Sequence, residues 1–180
     1  MDCYFDFFDK ITHVSCCGKQ GIFQDDIEES SKMSIVWFLS SCEQFHIEIA
    51  KKIARRERSR PIRFMSGDFT TDDIGRGYDL ILISQILHAY SVKDNVLLLK
   101  KCRNSLSHGG RVVVLEFPLS NDKIYPVQSA LFSVNMLVNT AGGRCYSSEE
   151  IRGWLQKVGL KDIDEHKSDD TVIISGSYSR

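Results

Sequence analysis

The sequence predicts an α/β fold built on a largely parallel sheet, and three features predict it. Short β-rich runs alternate with longer helical patterns along the chain. The two strongest runs, Tyr-Asp-Leu-Ile-Leu-Ile-Ser at 78–84 and Arg-Val-Val-Val-Leu-Glu-Phe at 111–117, are almost continuously apolar, as in strands covered by helices on both faces. Between them lies a single helical pattern. A length of 180 residues suits one domain with one substantial core.

Taken in order, strands are expected at 11–16, 34–39, 62–66, 78–84, 111–117, 160–165 and 171–177. Residues 24–32 are polar and poorly periodic. A helix is expected over 43–57, ending in Lys51-Lys52 and Arg55-Arg56-Glu57-Arg58 before Pro61 breaks it. Those cations suit the negative end of a helix dipole, and with a net charge of -1 they read as a solvated terminus rather than a nucleic-acid patch. The next helix, 92–106, has Val96, Leu97, Leu98, Leu99 and Cys102 on its apolar face and Ser91 as N-cap. Gly109-Gly110 is expected to follow it as a turn. Residues 124–140 are mostly apolar and read equally as a core helix or as the wall of a ligand pocket. The last helix begins at Ser147 or Ser148, buries Ile151, Trp154, Leu155 and Val158, and stops at Gly159.

Composition narrows the function classes. The chain is 42% hydrophobic and 26% charged, ordinary for a soluble domain. The charge balance gives no reason to expect nucleic acid or an anionic membrane as a partner. No apolar run approaches the roughly 20 residues of a membrane span, and the acidic, aromatic N-terminus is unlike a secretory signal. Cys3, Cys16, Cys17, Cys42, Cys102 and Cys145 form no C-x-x-C pair. They read as reduced thiols of a cytoplasmic protein with no metal site.

Chemistry concentrates at predicted strand ends. Met65-Ser66-Gly67-Asp68-Phe69 closes one strand, where open α/β sheets bind ligands. The strand at 78–84 runs into Ser84-Gln85-Ile86-Leu87-His88-Ala89-Tyr90-Ser91, and the strand at 111–117 contains Glu116-Phe117 after His108-Gly109-Gly110. Asn135-Met136-Leu137-Val138-Asn139-Thr140-Ala141-Gly142-Gly143-Arg144 follows.

This ordered set, spanning residues 62–177, resembles the O-methyltransferase family of plant caffeate and isoflavone enzymes, acetylserotonin methyltransferase and bacterial natural-product enzymes. The resemblance implies a class I methyltransferase sheet, Rossmann-like, with about seven strands, the last antiparallel, and helices on both faces. It implies S-adenosyl-L-methionine as cofactor and a small hydroxylated aromatic or polyketide-like acceptor. By the same resemblance His88 is the general base and Glu116 orients it. Asp68 binds adenine, Phe69 packs on it, and Ser84 touches the cofactor. Phe132, Met136 and Asn139 line the acceptor pocket. Aligning oxygen, methyl carbon and sulfur is worth roughly 7–11 kcal/mol in such reactions. A phenol, with a pKa near about 10, also needs a base, and histidine is suited to that task near neutral pH.

The chain departs from the family pattern in several places. Where members carry Asp-Val-Gly-Gly-Gly-x-Gly, this chain has Ser15-Cys16-Cys17-Gly18-Lys19-Gln20-Gly21, so only Gly18 and Gly21 remain of the cofactor loop. No acid stands in register after the second strand, where Ser40-Ser41-Cys42-Glu43 lies, and Cys145 replaces a second glutamate common in plant members. The whole chain, 1–180, thus reads as one catalytic-type domain, degenerate over 1–60 and lacking the family's N-terminal dimerisation domain. Two outcomes are compatible with this: a methyltransferase with weakened cofactor binding, or a catalytically silent module that keeps the sheet. A G-x-G-x-x-G nicotinamide site is not matched by Gly18-Lys19-Gln20-Gly21. The loss of cover also predicts a homo-oligomer formed through the apolar segment 124–139.

In the loop that the resemblance implies, side chains at 17 and 19 would crowd a backbone that must approach the cofactor closely. The double substitution Cys17→Gly and Lys19→Gly is therefore expected to tighten S-adenosylhomocysteine binding, measured by calorimetry. Identical affinity before and after would show that this segment is not the cofactor loop.

Overall fold

The computed structural model describes residues 67–168 and 170–179. The expected strands at 11–16, 34–39 and 62–66 and the expected helix at 43–57 lie outside them. The described chain runs β1 (Tyr78–Ser84), a 3-10 turn (Leu87–Ala89), α1 (Val92–Ser105), β2 (Leu106–Glu116), α2 (Val127–Asn139), α3 (Ser148–Lys157), β3 (Lys161–Lys167) and β4 (Val172–Ser177).

The four strands form one sheet in the order β1-β2-β4-β3. β1 and β2 are parallel, with Ile81 opposite Val112 and Ile83 opposite Val114, and α1 carries the chain between them. β4 runs antiparallel to both β2 and β3. Alternation sorts the side chains. Ile81, Ile83, Val112, Val114, Val172 and Ile174 join Leu98, Leu99 and Cys102 of α1 and Ile151, Trp154 and Leu155 of α3 in the main core. The opposite face carries a smaller buried set, Leu82, Val113 and Ile173.

Local chemistry fixes the helix ends. Ser91 caps α1, its side chain accepting from the Asp94 amide at 3.3 Å. Ser147 and Glu150 form a full capping box at α3, two orphan amides being satisfied reciprocally. Gly159, at φ 88°, turns the chain after α3.

Three expectations need correction. Gly109-Gly110 does not form a turn closing α1; the helix ends at Ser105, and β2 begins at Leu106 rather than at 111. The register slips there: Tyr78 faces Leu106, whereas Leu80 faces Arg111. Gly110 makes this possible, because a Cβ on it would stand 2.9 Å from the Tyr78 carbonyl oxygen and 3.1 Å from that of Asp79. Strand edges elsewhere move by one or two residues, β2 ending at Glu116 and β3 reaching Lys167. Lastly, α2 is not a core helix: Leu131, Val134, Leu137 and Val138 are 59–76% exposed, and Ser129 is the helix's one buried residue.

The two kinds of glycine give opposite expectations. Gly153 lies exposed within α3 with nothing within 4 Å of a built Cβ. Gly153→Ala should stabilise the fold by about 0.4–1 kcal/mol, whereas Gly110→Ala should cost about 1–3 kcal/mol through overpacking. Thermal or urea unfolding checks both, and equal effects at the two positions would refute the crowding of Gly110 at the β2 entry.

Candidate functional site at the strand ends

Glu116 is the last residue of β2 and is only 4% exposed. A buried carboxyl group needs partners, and this one has two. Oε1 accepts the Leu87 amide at 2.7 Å, and Oε2 lies 2.8 Å from His88 Nδ1. Because the strands are parallel, the end of β2 stands beside the end of β1, from which the 3-10 turn carrying His88 departs. Gln85 makes the exit: its amide continues the ladder to the Leu115 carbonyl at 2.9 Å, and its backbone takes φ 57°. That left-handed conformation costs a non-glycine residue roughly 1–2 kcal/mol.

With Nδ1–H donating to Glu116, Nε2 of His88 keeps its lone pair and can accept a proton. Aromatic rings enclose the imidazole. Phe132 of α2 meets it edge to face at 5.1 Å between centroids, Phe117 lies at 5.7 Å, and the two phenylalanines touch each other at 4.9 Å. Phe132 is one of the residues that the resemblance assigns to the acceptor wall; Phe117 is not, although a position directly after Glu116 is a signal that points to it. Gly143 closes the turn from the other side: a Cβ there would fall 2.8 Å from the Ala89 carbonyl carbon and closer still to the His88 oxygen.

The other residues expected at an acceptor separate. Met136 follows Phe132 by one helical turn and is half-buried, as the i, i+4 relation allows. Asn139 is exposed, with its amide bonded to the Asn135 carbonyl at 2.9 Å and side-chain oxygen at 2.8 Å, so its described contacts stay on its own helix. Cys145 is buried, its amide donating to Ser133 Oγ at 3.0 Å. Burial, and then the charge of Glu116, push its thiol up to about 12, so it presents a neutral group.

Of the residues expected at a cofactor, Asp68 is exposed and lies in a tight turn. Its Oδ1 accepts the Thr70 amide at 2.8 Å and hydroxyl at 2.7 Å, and these bonds lower its pKa, the hydroxyl contributing most. Phe69 corrects the sequence reading: it is 2% exposed, packed edge to face on Tyr90 at 4.8 Å, and so supports the turn from the core rather than offering a face to a base. Lys101 of α1 donates to the carbonyls of Phe69 at 2.6 Å and Asp72 at 2.7 Å and so ties this turn to the helix. Ser84 ends β1 opposite Leu115 and is half-buried. Gly18 and Gly21 lie outside the described residues. Among the described residues no group of three or more His, Cys, Asp or Glu side chains is placed to hold a metal ion, and no helix is long and apolar enough to cross a membrane.

Known proteins share this fold. The chain is 35% identical to 3-hydroxy-5-methyl-1-naphthoate 3-O-methyltransferase of Streptomyces sahachiroi over 63% of its own length and 32% of the relative's. It is 38% identical to acetylserotonin O-methyltransferase of Gallus gallus over 53% of its length and 28% of the relative's. It thus spans about a third of the length of these curated relatives. Among solved structures, PigF with SAH superposes with a TM-score of 0.70 at 28% identity, covering 81% of this chain and 43% of that one. An O-methyltransferase family 2 protein from Planctomyces limnophilus in complex with apigenin gives 0.71 at 28% identity, covering 80% and 42%. The α/β sheet described above is therefore a methyltransferase fold. The O-methyltransferase domain itself matches residues 41–161, well over half of the chain, and the chain belongs to that family.

Proposed function

We propose that this chain is the catalytic-type domain of an S-adenosylmethionine-dependent O-methyltransferase acting on a hydroxyl of a small aromatic or polyketide-like molecule. The observation that carries the reading is the His88–Glu116 pair, held at 2.8 Å at the ends of two parallel strands, with the imidazole side chain 12% exposed. The names of the relatives support the substrate class, one being a naphthoate and another an acetylserotonin O-methyltransferase. The similarity to PigF, whose solved structure is that of the protein with SAH, supports the cofactor.

S-adenosylmethionine would supply the activated methyl group. The exposed carboxylate of Asp68 fits an adenine amino donor, and Ser84 and the glycines Gly18 and Gly21 are the other residues proposed to hold the cofactor. Phe69 is proposed here as the floor beneath Asp68. His88 Nε2 takes the proton of the acceptor hydroxyl as the oxygen becomes nucleophilic, and Glu116 stabilises the resulting imidazolium through Nδ1. Phe132, with Phe117, offers flat apolar walls to an aromatic acceptor and keeps water from the imidazole; Met136 extends that wall along α2, and Asn139 is proposed as a polar contact at its end. We also propose that residues 1–66 complete the sheet to about seven strands, with the helices of its second face. The burial of Leu82, Val113 and Ile173 supports such cover.

His88→Ala should lower kcat by about 10²–10⁴ while leaving cofactor affinity close to that of the unaltered chain. Glu116→Gln should cost less and shift the pH profile. Undiminished turnover in a folded His88→Ala chain would remove His88 from the mechanism.

The outer face of α2 points to self-association. Leu131, Leu137 and Val138 are each more than 60% exposed, and Ile124 and Tyr125 just before the helix are equally so. Contiguous apolar surface of this kind tends to find a partner. Light scattering over a concentration series should show growth in mass that Leu131→Glu with Val138→Glu abolishes. A monomer at all concentrations would contradict this, and aggregation only after Phe7→Asp and Phe8→Asp would point instead to an internal cap by the N-terminal aromatics.

A further inference from the structure

The imidazole can face an acceptor only if the turn that carries it is held at a fixed height above the sheet. Glu116 fixes one side of that turn, through the Leu87 amide and His88 Nδ1. The other side is held by Asn95, on the first turn of α1. Its side-chain amide donates to the carbonyl of Leu87 at 2.8 Å and to that of Tyr90 at 3.2 Å, the residues just before and two after His88. Tyr146, ahead of α3, adds its hydroxyl to the Tyr90 carbonyl at 2.6 Å.

Asn95 is fully buried, on the same helical face as Leu98, Leu99 and Cys102. An apolar residue is the ordinary occupant of such a position. The asparagine also brings a liability, since its Oδ1 is buried without a hydrogen-bond partner. Nor is it needed to rescue a stranded backbone group: the Leu87 carbonyl already accepts the Tyr90 amide at 3.2 Å, and the Tyr90 carbonyl already accepts from Tyr146. What the two bonds add is a fixed distance between α1 and the turn, and therefore between His88 and Glu116.

We propose that Asn95 is a positioning residue for the proposed base, clamping the turn that bears His88 so that its Nδ1–H stays on Glu116 and its Nε2 faces the acceptor. This rests on the reading of His88 as the base, and the test separates the two claims.

The experiment follows the His88 Nδ1 proton by NMR in the full chain, assigned by its loss in His88→Gln. In the unaltered chain it is expected as a downfield, slowly exchanging signal. In Asn95→Leu, which fills the space without donors, its solvent exchange should rise at least about tenfold while the amide spectrum stays folded. Asn95→Ser is too short to reach both carbonyls; it carries the same expectation and is read if the leucine variant fails to fold. Acceptor KM should change little in either variant while kcat falls. A His88 signal with unchanged shift and exchange in a folded Asn95 variant overturns the proposal, as does its absence from the unaltered chain. Faster exchange at His88 in the Asn95 variants of a chain that transfers no methyl at all would instead count for Asn95 and against the base.

Discussion

The site depends on one buried carboxyl group. Glu116 leaves water at the end of a central strand, and removing a charge or even a polar carboxyl from water without partners is strongly unfavourable. The fold answers with two donors, the Leu87 amide and His88 Nδ1. Hydrogen bonds to charged groups are worth about 1.5–3 kcal/mol each. This makes the exit of the chain from β1 a structural requirement as much as a functional one: without the turn at 87–89, Glu116 has no partner, and without Glu116, the imidazole has no fixed tautomer. The left-handed backbone at Gln85, the close approach of Gly143 and the ring contacts of Phe117 and Phe132 all serve that one geometry.

Much of this is legible in the sequence because the signals are local. β1 has the bounds its apolar run suggests, and Ser91 and Ser147 cap the helices their patterns announce. The His88–Glu116 contact, 28 residues apart in sequence, follows from parallel strands whose ends must lie side by side. Sequence and structure part where a tertiary contact overrides a local pattern. Gly109-Gly110 looks like a turn, but Gly110 is required because three backbone oxygens crowd the place a Cβ would take. Phe69 looks like a stacking residue at a ligand edge, but its neighbour Tyr90 draws it into the core. Helix α2 has core composition and an exposed face, a conflict that composition alone does not resolve. Lys101 and Asn95 give no sequence signal beyond their position on α1, because their partners are backbone carbonyls, which every residue carries.

On the proposed reading the two halves of the chemistry are unequally preserved. The described residues hold every group proposed for proton transfer: His88, Glu116 and the Phe117–Phe132 pair. Of the groups proposed for the cofactor, Asp68 sits in a tight turn braced by Thr70 and Lys101, while the sequence at residues 15–21 departs from the family pattern. A site that has lost binding energy for one substrate but kept its base should be slow at low cofactor concentration and still chemically competent when saturated.

That competence is tested most directly by supplying methyl-labelled S-adenosylmethionine at saturating concentration to the full chain with a panel of hydroxylated aromatic acceptors, and following both products. An O-methyl ether and S-adenosylhomocysteine are expected in equal amounts, formed only with acceptors that carry a free hydroxyl. Calorimetrically demonstrated cofactor binding with no ether from any acceptor would contradict this, and would leave the His88–Glu116 pair a structural relic of the fold.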